Sequence, residues 1–168
     1  MIKYYYMSTA ASNMPKPSRQ KRADLKVSHI NPVAQKISAY QKFYKSDVIL
    51  IASAIAGISS HAISDMIKIS EKPIAEIASL LYVTPRTIKN YQNENKNLPV
   101  LQSEQLLKLY ALYDKGIEVF GDTDAFNRWL SKPAFGLNNQ MPNALLLTST
   151  GIKLIMDELS RIQYGDFS

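Results

Sequence analysis

Cysteine is absent from the 168 residues, which excludes disulfide staples, thiol nucleophiles and cysteine-ligated zinc. Histidine occurs only as His29 and His61, and six glycines are spread too thinly to form a phosphate-cradling loop. The i,i+4 pair His61 and Asp65 finds no third metal ligand at a recognisable spacing, so a surface hydrogen bond between the two is expected. No nucleophile elbow or walled pair of carboxylates is present, and Asp122, Asp124, Asp157 and Glu158 read as capping or solvated acids. Neither an enzyme nor a resident cofactor or metal is expected. Long apolar runs are also missing. The longest, Val48 to Ile58, has eleven residues, against about 20 for a bilayer span. No apolar signal region follows Lys3, Met7 offers a second start, and a cytoplasmic protein is expected.

What is present is an uneven charge. Residues 1–46 hold nine Lys or Arg against one Asp (+8), residues 47–100 five against five (0), and residues 101–168 six against eight (−2). The first segment, with Pro15, Pro17 and the basic run Arg19-Gln20-Lys21-Arg22, reads as a flexible arm over residues 1–46. Such an arm is either merely solvated or a contact for phosphates.

From Asn31 the pattern is helical, and no stretch alternates as a strand would. The fold class expected is all-α: a helix-turn-helix domain over residues 47–100 and a small helical domain over residues 101–168. Asp47 is placed to cap a helix from Val48 to Ala56, apolar on nearly all sides and therefore expected to be buried. A further segment presents Ile63, Met66 and Ile67. Pro73 opens Ile74 to Leu81, and Thr84-Pro85 supplies an N-cap hydroxyl and a first-turn proline for Arg86 to Tyr91. Apolar residues at 106, 110, 113, 117 and 120 mark one face of a longer helix. Helices around Trp129 and from Thr148 or Ser149 to Gly165 follow.

The Ile74 to Tyr91 pair has the spacing of a DNA-binding helix-turn-helix, with small Ala78 at the crossing. Its second helix would expose Arg86, Thr87, Lys89 and Asn90. Arg and Asn can read guanine and adenine bidentately, while Thr and Lys can hold phosphates. Tyr82 occupies the turn position where the backbone tends to positive φ and Gly is usual. An ordinary αα hairpin is the alternative.

Phe120-Gly121-Asp122, Trp129-Leu130, Pro133, Pro142, Leu145-Leu146, Thr148, Gly151 and Leu159 to Gly165, preceded by Arg86-Thr87-Ile88, resemble the Xre/MbcA/ParS-type antitoxins over about residues 50–165. The resemblance implies an antitoxin that neutralises a RES-domain, NAD-consuming toxin by covering its active site and that represses its own promoter by binding operator DNA. Carried residue by residue, it points to Arg161, Tyr164 and Gly165 for toxin binding; Phe167, just beyond, is added on chemical grounds. An Arg, a Tyr and a Phe at a helix end are the types that dominate interface energetics, unless Tyr164 and Phe167 fold back onto the core. Two half-sites on an operator imply a homodimer. The chain departs from the family pattern at Leu137-Asn138-Asn139-Gln140, where a glycine pair is usual, although Asn tolerates left-handed backbone. It departs again at Lys89-Asn90, where two Arg are frequent. Two other readings remain: a stand-alone helix-turn-helix regulator with a C-terminal dimerisation domain, and a helical adaptor that binds only protein.

Overall fold

A computed structural model describes residues 32–165. Phe167 and residues 1–31, with most of the expected basic arm, lie outside the described residues. Among those described there are nine α-helices and no strand: α1 (Pro32–Tyr40), α2 (Asp47–Ala56), α3 (His61–Ser70), α4 (Ile74–Leu80), α5 (Pro85–Asn93), α6 (Val100–Phe120), α7 (Thr123–Leu130), α8 (Pro142–Leu145) and α9 (Ser149–Tyr164). Single 3₁₀ turns occupy Gln41–Phe43 and Phe135–Leu137.

The long helix α6 is the centre of the fold. Its expected stripe is buried at Leu106, Tyr110 and Tyr113, but Leu107, Leu109 and Leu112 are buried as well. A helix covered on several faces needs several neighbours, and α1, α2, α3, α7 and α9 all pack on it. One apolar cluster consequently runs from Ile37 to Leu159, so segments 47–100 and 101–168 share a core. Beside it, Phe120, Phe126 and Trp129 stack at centroid distances of 5.4 to 6.1 Å.

Residues 32–44, assigned above to the arm, are structured on this body. Ile37 is buried, the Tyr40 ring stacks on Tyr110 at 4.2 Å, and the Tyr40 hydroxyl donates to Asp65 at 2.7 Å. Tyr44 donates to Asp114 at 3.1 Å. Charge counting places the boundary too late because three aromatics, Tyr40, Phe43 and Tyr44, pack against the core despite the lysines between and beside them.

Helix α2 also differs from expectation. Ser46, one residue before Asp47, is its N-cap and accepts from the Ile49 N–H. Only Leu50 and Ala54 are buried, while Val48, Ile51 and Ile55 are 76%, 53% and 67% exposed. The helix lies at the edge of the fold, on α6 and the first 3₁₀ turn, and no element among the described residues covers its outer half. Glu158, expected to be solvated, is instead buried and paired with Arg161 at 2.8 Å. His61 and Asp65 do not bond each other as expected: His61 Nε2 lies 3.0 Å from Asn95 Oδ1, and Asp65 takes the Tyr40 hydroxyl.

A candidate two-ended binding surface

The first end is built on α4 and α5. Ala78, Leu81 and Ile88 are buried where the two helices cross, and the small Ala78 side chain permits the close approach. Tyr82 in the connection has φ +56°, the left-handed backbone foreseen at this position. Its hydroxyl donates to the Leu147 carbonyl, tying the turn to the segment that leads into α9. Thr84 caps α5 by accepting from the Thr87 N–H at 3.1 Å, and Pro85 follows in the first turn.

This geometry turns Arg86, Lys89 and Asn90 outward, all exposed, with Asn93 one turn further along the same row. Thr87 is half-buried, and its hydroxyl lies 2.9 Å from the Thr84 hydroxyl, so it serves the cap and faces outward less than its neighbours. Lys96 is engaged by Glu94, a pair that holds the ammonium above its ordinary pKa through the hydrogen bond and the charge of Glu94. Arg86 and Lys89 make no ion pair among the described residues. What remains on the outer face of α5 is a guanidinium in the first turn, then an ammonium and an amide one turn on, each open to a partner.

The second end is the C-terminal turn of α9. Thr148 caps the helix start by accepting from the Gly151 N–H at 2.9 Å. The helix closes at Gly165, whose φ of +71° is the left-handed terminator. Ile152, Ile155 and Leu159 bury its inner face. Gln163 then clamps the last turn to α6, donating to Glu118 at 2.8 Å and accepting from Lys115. Hydrogen bonds from Gln163 and then Lys115 hold the Glu118 carboxyl below its ordinary range. With Gln163 fixed, Tyr164 points away from the body and is 81% exposed, so it does not fold back onto the core.

Arg161 is on the same end, partly exposed and held by the buried carboxylate of Glu158. Against that pair lies Gly136: a Cβ there would come within 2.1 Å of Glu158 Oε2 and 2.2 Å of an Arg161 guanidinium nitrogen. A side chain there would force either the Glu158–Arg161 pair or the loop to shift. The loop thereby carries Phe135 beside Arg161, 83% exposed. Phe135 was missed in the sequence; its signal was a lone aromatic between Pro133 and Gly136 with no apolar partner in register. The loop itself closes through Asn138 and Asn139, at φ +53° and +57°, so two asparagines supply the left-handed pair that glycines would otherwise provide. Arg161, Tyr164 and Gly165 share the last turns of α9, and the loop that carries Phe135 lies against Arg161; Arg86, Lys89 and Asn90 are brought together at the other end.

Comparison with known proteins bears on both ends. Residues 115–165 match the family described as the antitoxin Xre/MbcA/ParS C-terminal toxin-binding domain. The chain is 26% identical over 121 residues to the antitoxin Xre of Yersinia enterocolitica serotype O:8 / biotype 1B (strain NCTC 13174 / 8081), covering 71% of this chain and 82% of that one. Among solved structures, the MbcT–MbcA toxin–antitoxin complex of M. tuberculosis contains a chain of similar fold. The TM-score is 0.52 at 18% identity, over 65% of this chain and 96% of the other.

Proposed function

We propose, from the premise that this chain is an antitoxin of the Xre/MbcA/ParS type with a C-terminal toxin-binding domain, that it neutralises a RES-domain, NAD-degrading toxin by seating the end of α9 in the mouth of the toxin's active site. The observation that carries this reading is the outward Tyr164 on a last turn clamped by Gln163 to Glu118 and Lys115. The clamp fixes the backbone that carries Tyr164, so an interface gains an exposed aromatic whose backbone ordering cost is already met. Arg161, one turn back on the same helix, and Phe135, on the loop against Arg161, complete the aromatic and arginine set from which interface hot spots are drawn. Steric cover of this kind needs no chemistry from the antitoxin itself, and the protein works in the cytoplasm beside its target.

The outward row Arg86, Lys89 and Asn90 on α5 supports operator binding, with Thr87 acting through the cap, where its N–H and its hydroxyl both meet the Thr84 hydroxyl. A homodimer would present two such helices to the two half-sites of an operator. Autorepression follows if that operator lies in the antitoxin's own promoter.

The toxin-binding claim is tested by removing residues 161–168 and co-expressing the shortened chain with the toxin encoded beside it. Loss of rescue and a fall in cellular NAD, with the helical circular-dichroism spectrum retained, is the expected result. Continued rescue would rule out occlusion by this end. For DNA, Arg86→Ala should weaken specific operator binding by about 1–3 kcal/mol in a gel-shift titration while leaving rescue intact. Equal affinity of the parent protein for operator and scrambled DNA would remove the base-reading role.

A further inference from the structure

The turn between α4 and α5 holds a residue that its backbone does not favour. The Tyr82 N–H donates to the Ser79 carbonyl at 3.1 Å and the Val83 N–H to the Ala78 carbonyl at 3.0 Å, the paired bonds of a Schellman ending, whose left-handed position usually falls to glycine. Here it falls to a tyrosine at φ +56°, and a residue with a β-carbon loses stability there that glycine keeps. Burial does not compensate, because half of the residue stands in solvent. What tyrosine has and glycine lacks is the hydroxyl that donates to the Leu147 carbonyl. That carbonyl stands on a fixed post. Buried Gln105 donates to the neighbouring Leu146 carbonyl at 3.3 Å, and Gly151 fits against the Leu145 carbonyl with no room for a methyl. A second strut reaches the same turn from α6, where Gln102 donates to the Leu81 carbonyl at 3.3 Å.

We propose that Tyr82 is a positioning residue for DNA recognition: through Leu147 it makes the C-terminal half of the molecule hold the near end of α5 in its base-reading pose. Helix α5 has a slender grip of its own. It packs on α4, and Ile88 is its one buried residue. Its far end is fastened to α3 and its cap, with Ser60 donating to the Tyr91 carbonyl at 3.0 Å and Gln92 to the Ser64 hydroxyl at 2.8 Å. Its near end carries Arg86 and is aimed by the turn that Tyr82 and Gln102 fix. Base contacts demand placement within about 0.5 Å, so freedom at this end reaches Arg86 first. Attraction to phosphates needs no such geometry and survives it. A tyrosine in a glycine position is therefore explained by what it aims, at the expense of backbone ease in the turn.

This inference rests on the DNA reading above and is independent of toxin neutralisation. Tyr82→Phe removes only the hydroxyl, whereas Tyr82→Gly removes the tether together with the left-handed strain. The full-length variants are titrated by fluorescence anisotropy against a duplex from the promoter of the chain's own operon and against a scrambled duplex. Operator affinity should fall about three- to tenfold for either variant, the range that one neutral hydrogen bond can control, with scrambled-duplex affinity and rescue from the toxin unchanged. Gln102→Leu should act in the same direction through Leu81. A purely structural role would lower the folded fraction, so that operator binding, scrambled-duplex binding and rescue fall together; that outcome overturns the proposal. Operator affinity unchanged in Tyr82→Phe overturns it as well. A parent protein that binds both duplexes equally removes the DNA reading and this inference with it, whereas a parent that discriminates, matched by a Tyr82→Phe variant that discriminates equally well, removes the tether alone.

Discussion

Replacing Gly151 with Ala sets two opposing effects against each other at one atom. Gly151 is the third residue of α9, and its φ is not positive, so nothing in the backbone conformation forbids alanine. Helix propensity alone would favour the change by up to about 1 kcal/mol. The added methyl, however, would lie 2.0 Å from the Leu145 carbonyl oxygen, 2.8 Å from the Leu145 carbonyl carbon and 2.9 Å from the Thr148 hydroxyl. The nearest of these is backbone, and reaching an ordinary contact of about 3.3 Å means parting the α8 to α9 turn by more than about 1 Å. Overpacking of that kind costs about 1–3 kcal/mol. Displacing Thr148 also weakens the cap, for which about 0.5–2 kcal/mol is at stake. The overlap wins, and net destabilisation of about 1–3 kcal/mol should lower the melting temperature by about 3–10 °C for a chain of this size. Helical ellipticity and the fluorescence of Trp129, the single tryptophan, both follow the transition. An unchanged or raised melting temperature would mean that propensity prevails and that the close approach at Leu145 is not a constraint.

Phe135→Ala should leave stability within about 0.5 kcal/mol, as expected for an exposed side chain away from the core, yet weaken toxin binding by about 2 kcal/mol, roughly thirtyfold, in a calorimetric titration; an unchanged affinity would take Phe135 out of the interface. Alkaline stability should show a step set by the tyrosines. Burial, followed by the hydrogen bond to Asp65, raises the Tyr40 phenol to about 12, and burial raises Tyr44, Tyr110 and Tyr113 as well. The folded state prefers the neutral phenols, so their contribution is intact below the unfolded value of about 10 and is lost as pH rises from there through 12. Phenolate absorbance should therefore appear in two stages, the later one coincident with loss of ellipticity. All ten tyrosines ionising together near pH 10 with the fold intact would contradict this.

Local chemistry explains which features could be read from the chain. Thr84-Pro85 carries both the cap and the first-turn proline of α5 within two residues, and Gly165 carries the end of α9, so neither depends on distant neighbours. Positive φ at Tyr82 was likewise written in the turn spacing, whereas at Asn138-Asn139 it was suggested by the resemblance, which has a glycine pair there. What could not be read depends on what lies across the fold. The apolar helix α2 resembles a buried one in sequence; only its position at the rim leaves Val48 and Ile55 uncovered. Glu158 looks like any acid of a solvated helix face until the loop at Gly136 closes over it. The basic residues before Asp47 suggest an arm until Tyr40 meets Tyr110. Of the two ends, α5 was legible through its start signals. The α9 end became visible through resemblance, and Phe135 only through the fold.

Helix α6 begins at Val100, whereas the segment matching the toxin-binding family begins at residue 115, three turns or more into it. Excising residues 115–165 would therefore cut a continuous rod and strip Leu106, Leu107, Leu109 and Tyr110 from beneath the helices they support. Any transplant meant to change what the end of α9 binds must carry the whole rod along, or swap only the outward side chains of its last turn and the neighbouring loop.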